Sequence, residues 1–99
     1  MRQVTASTVG AFQGRVKCSV GNTMTDGEAL FLHANKIAEF RADGLWITTA
    51  GWDTNTTRER LNGLHGVSVY RRKGELFLNG KAWDGEWTNV QAWGQGDVQ

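Results

Sequence analysis

Residues 51–62 read Gly-Trp-Asp-Thr-Asn-Thr-Thr-Arg-Glu-Arg-Leu-Asn and hold the densest polar chemistry of the chain. Three threonine hydroxyls, an asparagine amide and two arginines surround what the pattern predicts to be the start of a helix. The first N–H groups of a helix lack backbone partners, and its dipole favours negative charge there. Thr54, Thr56 and Thr57 would add hydroxyl donors, and Arg58 and Arg60 would grip a phosphate or carboxylate in bidentate fashion. Trp52 could stack on a base or fill a core. The plainer reading is a well-capped helix. Thr56 and Glu59 stand at the capping-box spacing, in which each side chain satisfies a free N–H of the other. Trp52 is then buried, the arginines are solvated, and Asp53 and Glu59 oppose any bound anion.

A second basic group, Arg71-Arg72-Lys73, falls on a strand end and turn. Between positions 58 and 73 there are five basic residues and one acid, Glu59. If the helix packs near that turn, these residues form one positive face suited to nucleic acid or an acidic protein. The plainer alternative is a solvated turn, or charges that protect an edge strand. The candidate binding face is therefore Trp52, Thr54, Thr56, Thr57, Arg58, Arg60 and Asn62, with Arg71 and Arg72 nearby. Trp46, Trp83, Trp87, Phe31, Phe40, Phe77 and Tyr70 are core candidates first, and stacking platforms second.

Catalytic sets are thin. His33 and His65 have no partner at metal-ligand spacing, and Cys18 with a distant histidine is not a specific nucleophile signal. Asp84 and Glu86 flank a turn, as carboxylate pairs often do by chance. No phosphate-binding glycine loop is present. The chain is expected to be neither an enzyme nor a cofactor carrier.

The elements that must position these residues follow from turns. Residues 5–13 read as a weak helix with Val9 and Phe12 on one face. Residues 19–28 read as a loop with one short strand through Met24. Residues 29–33 and 37–41 suggest a hairpin centred on Asn35, which tolerates positive φ. Asp43-Gly44 turns the chain into a third strand, residues 45–49. Leu61 and Leu64 share the helix face that would dock on the sheet. Beyond the helix, Lys73-Gly74, Asn79-Gly80 and Asp84-Gly85 mark turns between two to four short strands. The predicted fold is α+β: a small antiparallel meander with one helix packed on it and a weak N-terminal helix. Residues 1–90 are expected to form one domain, and 91–99 a loose tail from which Trp93 could fold back onto the body.

Composition bounds the rest. The chain has 99 residues, 13 glycines, no proline, five tryptophans and a net charge of +1. That balance excludes a uniformly basic polyanion binder but permits a local patch. Cys18 is the only cysteine, which rules out an intrachain disulfide and fits a reducing compartment. No leader-like apolar segment and no membrane-length apolar run is read. An edge strand could pair two chains into a dimer.

Three strings resemble a family of small uncharacterised tailed-bacteriophage proteins. They are Leu-Phe-Leu-His-Ala-Asn-Lys-Ile-Ala (30–38), Ala-Gly-Trp-Asp-Thr-Asn-Thr-Thr-Arg-Glu-Arg-Leu-Asn (50–62) and Leu-Asn-Gly-Lys-Ala-Trp-Asp-Gly (78–85). Asn22-Thr23 resembles an upstream element of the same family, and the likeness covers roughly residues 4–90. Ala34 departs from the pattern, which has glycine before Asn35. The resemblance implies a phage protein acting in the host bacterial cytoplasm. By analogy with such accessory proteins, it would bind and neutralise a host factor, such as an anti-CRISPR or other defence target. The alternatives are nucleic-acid binding through the basic face, and capture of a small phosphorylated nucleotide at the helix start.

Overall fold

Tight turns divide this chain into short strands, and three of them use two consecutive left-handed residues. The computed structural model describes residues 3–52 and 54–93. His33-Ala34 (φ 51° and 67°), Lys73-Gly74 (52° and 83°) and Asn79-Gly80 (51° and 86°) form these turns. Such turns match the twist of the strands they join. The first corrects the expected centre at Asn35, which instead opens the returning strand.

The elements run α1 Gln3–Gln13, β1 Cys18–Val20, β2 Thr23–Thr25, β3 Ala29–Leu32, β4 Asn35–Arg41, β5 Gly44–Ile47, α2 Asn55–Asn62, β6 Val69–Arg72, β7 Glu75–Leu78, β8 Lys81–Ala82 and β9 Thr88–Asn89. The fold is α+β, with mostly antiparallel sheets and helices packed on them. The predicted meander β3-β4-β5 is the centre of a six-stranded sheet ordered β1-β2-β3-β4-β5-β9. A separate three-stranded sheet holds β6-β7-β8. After β8 the chain crosses back, and β9 pairs with β5 through Trp46–Asn89 and Ile47–Thr88. The Gly85 carbonyl sits between the sheets, accepting from the Thr49 N–H at 2.9 Å and the Thr48 hydroxyl at 2.7 Å.

Burial explains why the weakly predicted N-terminal helix forms. Its Val9 and Phe12 are buried, and Phe12 stacks on Phe40 at 4.6 Å between ring centroids. Tertiary packing of one face outweighs the poor intrinsic helix propensity of this stretch. Leu61 of α2 is buried, and so is Leu64, which lies just past the C-cap Gly63. Gly63 matters for closeness rather than for chain reversal. Its φ is −73°, and a Cβ there would lie 2.7 Å from the Thr5 methyl carbon, so only glycine lets the two helices approach this far. Within the expected tail, Trp93 packs against the core and its indole N–H donates to the Leu78 carbonyl at 2.7 Å. The remainder, residues 94–99, lies outside the described residues.

One charged side chain joins these parts. Arg60, expected on the binding face, is 2% exposed. Its Nε donates to the Thr23 hydroxyl at 2.9 Å and Nη1 to the Thr5 hydroxyl at 2.9 Å. Nη1 also pairs with the Glu59 carboxylate, which accepts from the Thr5 hydroxyl as well. Nη2 reaches the Asn22 side-chain oxygen at 3.4 Å. Leu61 is on the core face of the helix, and Arg60, next to it, turns toward α1 and β2 instead of solvent.

Two stability predictions follow. Arg60→Ala leaves the half-buried Glu59 carboxylate and three acceptors without their partner and should cost about 3 kcal/mol, read as a lowered midpoint in chemical denaturation; an unchanged midpoint refutes the role given to Arg60. Ala34→Gly removes a side chain from a left-handed residue and should stabilise by about 1 kcal/mol. A drop in stability on that change would show that the turn is not strained.

Candidate functional site

The helix start does not use the expected cap. Thr54 is the N-cap, with extended backbone and a hydroxyl that accepts from the Thr57 N–H at 3.1 Å. The hydroxyls of Thr54 and Thr57 also lie 3.0 Å apart. The Thr56–Glu59 capping box is therefore not formed. Glu59 is drawn to Arg60 and Thr5 instead, which leaves the cap to the threonine two residues earlier.

This shift places Trp52, Thr54, Thr56 and Thr57 around one cleft of about 420 Å³. The opposite wall comes from the β3–β4 hairpin: Leu32, His33, Asn35 and Ile37, with Thr49 beneath. Leu32 and Ile37 are 5% and 1% exposed and form an apolar floor. Trp52 is 60% exposed, which corrects the expectation that a capped helix buries it. The hairpin residues were missed as site residues. Their signal was present, because the string 30–38 carries the phage-family resemblance, but nothing in the sequence brings it against residues 52–57.

The other flank of α2 carries a second, more open groove of about 520 Å³. Asn55, Arg58, Glu59 and Asn62 face Val69, Tyr70 and Arg71 across it. Arg58 bonds to the Asn55 side chain, and Arg71 to the Gly74 carbonyl. Asn62 is committed to structure: its amide donates to the Val69 carbonyl at 2.7 Å and accepts from the Val69 N–H at 2.6 Å. It thus acts as a strand partner for β6. Arg72 is exposed at the end of β6, opposite Glu75. Of the nine expected residues, four line the cleft and three the groove. Arg60 leaves the surface, and Arg72 lines neither. The single basic face is reduced accordingly.

The other aromatics divide between core and surface. Trp83 is buried, and Tyr70 stacks on Phe77 at 5.4 Å on the small sheet. The Arg41 guanidinium lies 4.2 Å from the Trp46 ring and 5.0 Å from the Trp87 ring. Asp26, Glu39 and Asp43, none of which lines the cleft, are held below the ordinary carboxylate range. Backbone N–H groups of Glu28 and Ala29 do this for Asp26, the Arg41 guanidinium for Glu39, and the Trp46 indole N–H for Asp43. Each shift favours a permanently ionised structural group over a proton carrier. Among the described residues no group of three or more His, Cys, Asp or Glu could hold a metal ion. No helix of the described residues is long and apolar enough to cross a membrane.

With this geometry in place, comparison with known proteins identifies a family. The family model described as Kyanoviridae Gp96 protein matches residues 1–98. The chain belongs to this bacteriophage protein family. The cleft and groove on the two sides of α2 are thus surfaces of a phage protein, and family membership assigns them no activity. No curated protein and no solved structure matches the chain.

The cap assignment is directly testable. Thr54→Ala should cost about 1 kcal/mol through loss of the N-cap, whereas Thr56→Ala should change stability by less than about 0.5 kcal/mol. The opposite ranking in thermal or chemical unfolding would restore the capping box.

Proposed function

We propose that this Kyanoviridae protein is a non-catalytic accessory protein that binds and neutralises a host factor inside the infected bacterium, a defence component being the fitting class. The binding surface is α2 with its two flanking hollows. The observation that carries this reading is the pair of exposed aromatics at either side of the helix. Trp52 is 60% and Tyr70 37% exposed, the first on the cleft and the second on the groove. Tryptophan, tyrosine and arginine dominate the energetics of protein interfaces, and Arg58 and Arg71 line the groove between them. A protein partner fits better than a polyanion. Arg60 is withdrawn into the fold, and Glu59 and Glu75 stand among the remaining cations.

The test is capture from host lysate on tagged protein, with and without nuclease, using the wild type and the Trp52→Ala/Tyr70→Ala double variant. A partner that survives nuclease and is retained at least about tenfold less by the variant supports the reading, since interface anchors of this type contribute about 2 kcal/mol or more. The variant should remain folded, with stability lowered by about 1 kcal/mol through loss of the Tyr70–Phe77 stack. Material lost on nuclease would assign the surface to nucleic acid. Equal capture by the variant would remove α2 and its flanks from the interface.

A further inference from the structure

We propose that the cleft between the β3–β4 hairpin and the start of α2 binds a flat, uncharged heteroaromatic ring, namely the base of a free nucleoside. Its volume of about 420 Å³ lies within the usual range of small-molecule sites. The composition also fits that class: an apolar floor, with a few polar groups that can fix orientation. Leu32 and Ile37 supply the floor. Trp52, 60% exposed on the lining, supplies an indole face for stacking, which every base accepts through its π-face. His33, Asn35 and Thr56 bring a ring nitrogen, an amide and a hydroxyl, the donor and acceptor types that read a base edge.

Charge selects the nucleoside over the nucleotide. Among the described residues lining the cleft there is no lysine, arginine, aspartate or glutamate. An ionised phosphate would lose its water there without a lysine or arginine to replace it. The start of α2 is also weakened as a source of charge stabilisation, because the Thr54 hydroxyl already takes the Thr57 N–H. The same argument disfavours a base that is still attached to a polynucleotide strand. His33 is also held in place from behind. Its N–H donates to the Asn22 carbonyl at 2.8 Å, and its ring Nε2 lies 3.4 Å from the Asn22 amide nitrogen. Asn22 in turn contacts Arg60, so the wall that would read the base is anchored to the buried core of the fold.

This inference does not rest on the host-factor reading, and its test needs no host component. Purified full-length protein is titrated with adenosine, guanosine, cytidine and uridine, with the corresponding monophosphates, with a short single-stranded oligonucleotide and with free indole. Binding is followed by calorimetry and by amide shifts of residues 32–37 and 54–57. One or more nucleosides should bind saturably and more tightly than their monophosphates. Trp52→Ala should weaken that binding about tenfold, the loss expected for one base–aromatic stack, and Trp52→Phe should retain most of it. Thr56→Phe, which fills the cleft from its rim, should abolish it. No shift in these amides with any nucleoside at millimolar concentration overturns the proposal, as does binding unaffected by Trp52→Ala. Tighter, salt-sensitive binding of the oligonucleotide would transfer the site to nucleic acid. Tighter binding of indole than of every nucleoside would transfer it to an aromatic side chain of a protein. Loss of nucleoside binding leaves the lysate capture result standing, and the reverse also holds.

Discussion

A buried guanidinium holds this fold together. Arg60 reaches an acidic side chain on its own helix, a hydroxyl on α1, a hydroxyl on β2 and the amide oxygen of Asn22 in the preceding turn. Removing a charge from water is costly, and the cost is met only when partners surround it with good geometry. Here the partners come from three separate segments, so the arginine is satisfied in one arrangement of α1, α2 and β2. No buried side-chain polar atom among the described residues lacks a hydrogen-bond partner. Glu59 stays 26% exposed at its side chain, which keeps part of the ion pair in contact with water and limits the desolvation cost.

The cleft is a consequence of that arrangement. Asn22 bonds to Arg60 on one side and to His33 on the other, which ties the hairpin wall to α2. Gly63 lets α2 settle against Thr5 and Val9, and a hollow lies between its first turn and the β3–β4 hairpin. Thr54 caps the helix and thereby consumes a first-turn N–H that an anion would need. A stretch that looks like an anion site in one dimension becomes, among the described residues, a pocket lined by no lysine or arginine. The cations it seemed to gather are distributed between the core, where Arg60 sits, and the opposite flank, where Arg58 and Arg71 lie.

Much of the architecture was legible because it is written in local rules. Asn79-Gly80 and Lys73-Gly74 demand left-handed turns, and both are present. Leu61 declares the buried face of α2, and Val9 and Phe12 that of α1. The errors were also physical. His33-Ala34 form a left-handed turn without the residues that favour it, so the neighbouring asparagine drew the assignment. The capping box failed because Glu59 had a stronger partner in Arg60 than a backbone N–H could offer. The strand β1 was missed because three residues at a sheet edge, with Cys18 half-buried and the other two exposed, show no burial pattern.

The sequence by itself determined the α+β class, the turn positions from residue 73 onward, the docking face of each helix and the kinship with phage proteins. These follow from backbone sterics, from side-chain periodicity and from strings of residues, all of which act over a few positions. Only the tertiary structure decided that Arg60 is a strut and not a contact, that Asn62 serves as a strand partner, and that Trp52 faces solvent across from His33. Each of these depends on which distant segment supplies a partner. Thr5 and Arg60 are 55 residues apart in the chain, and nothing local to either announces the hydrogen bond between them.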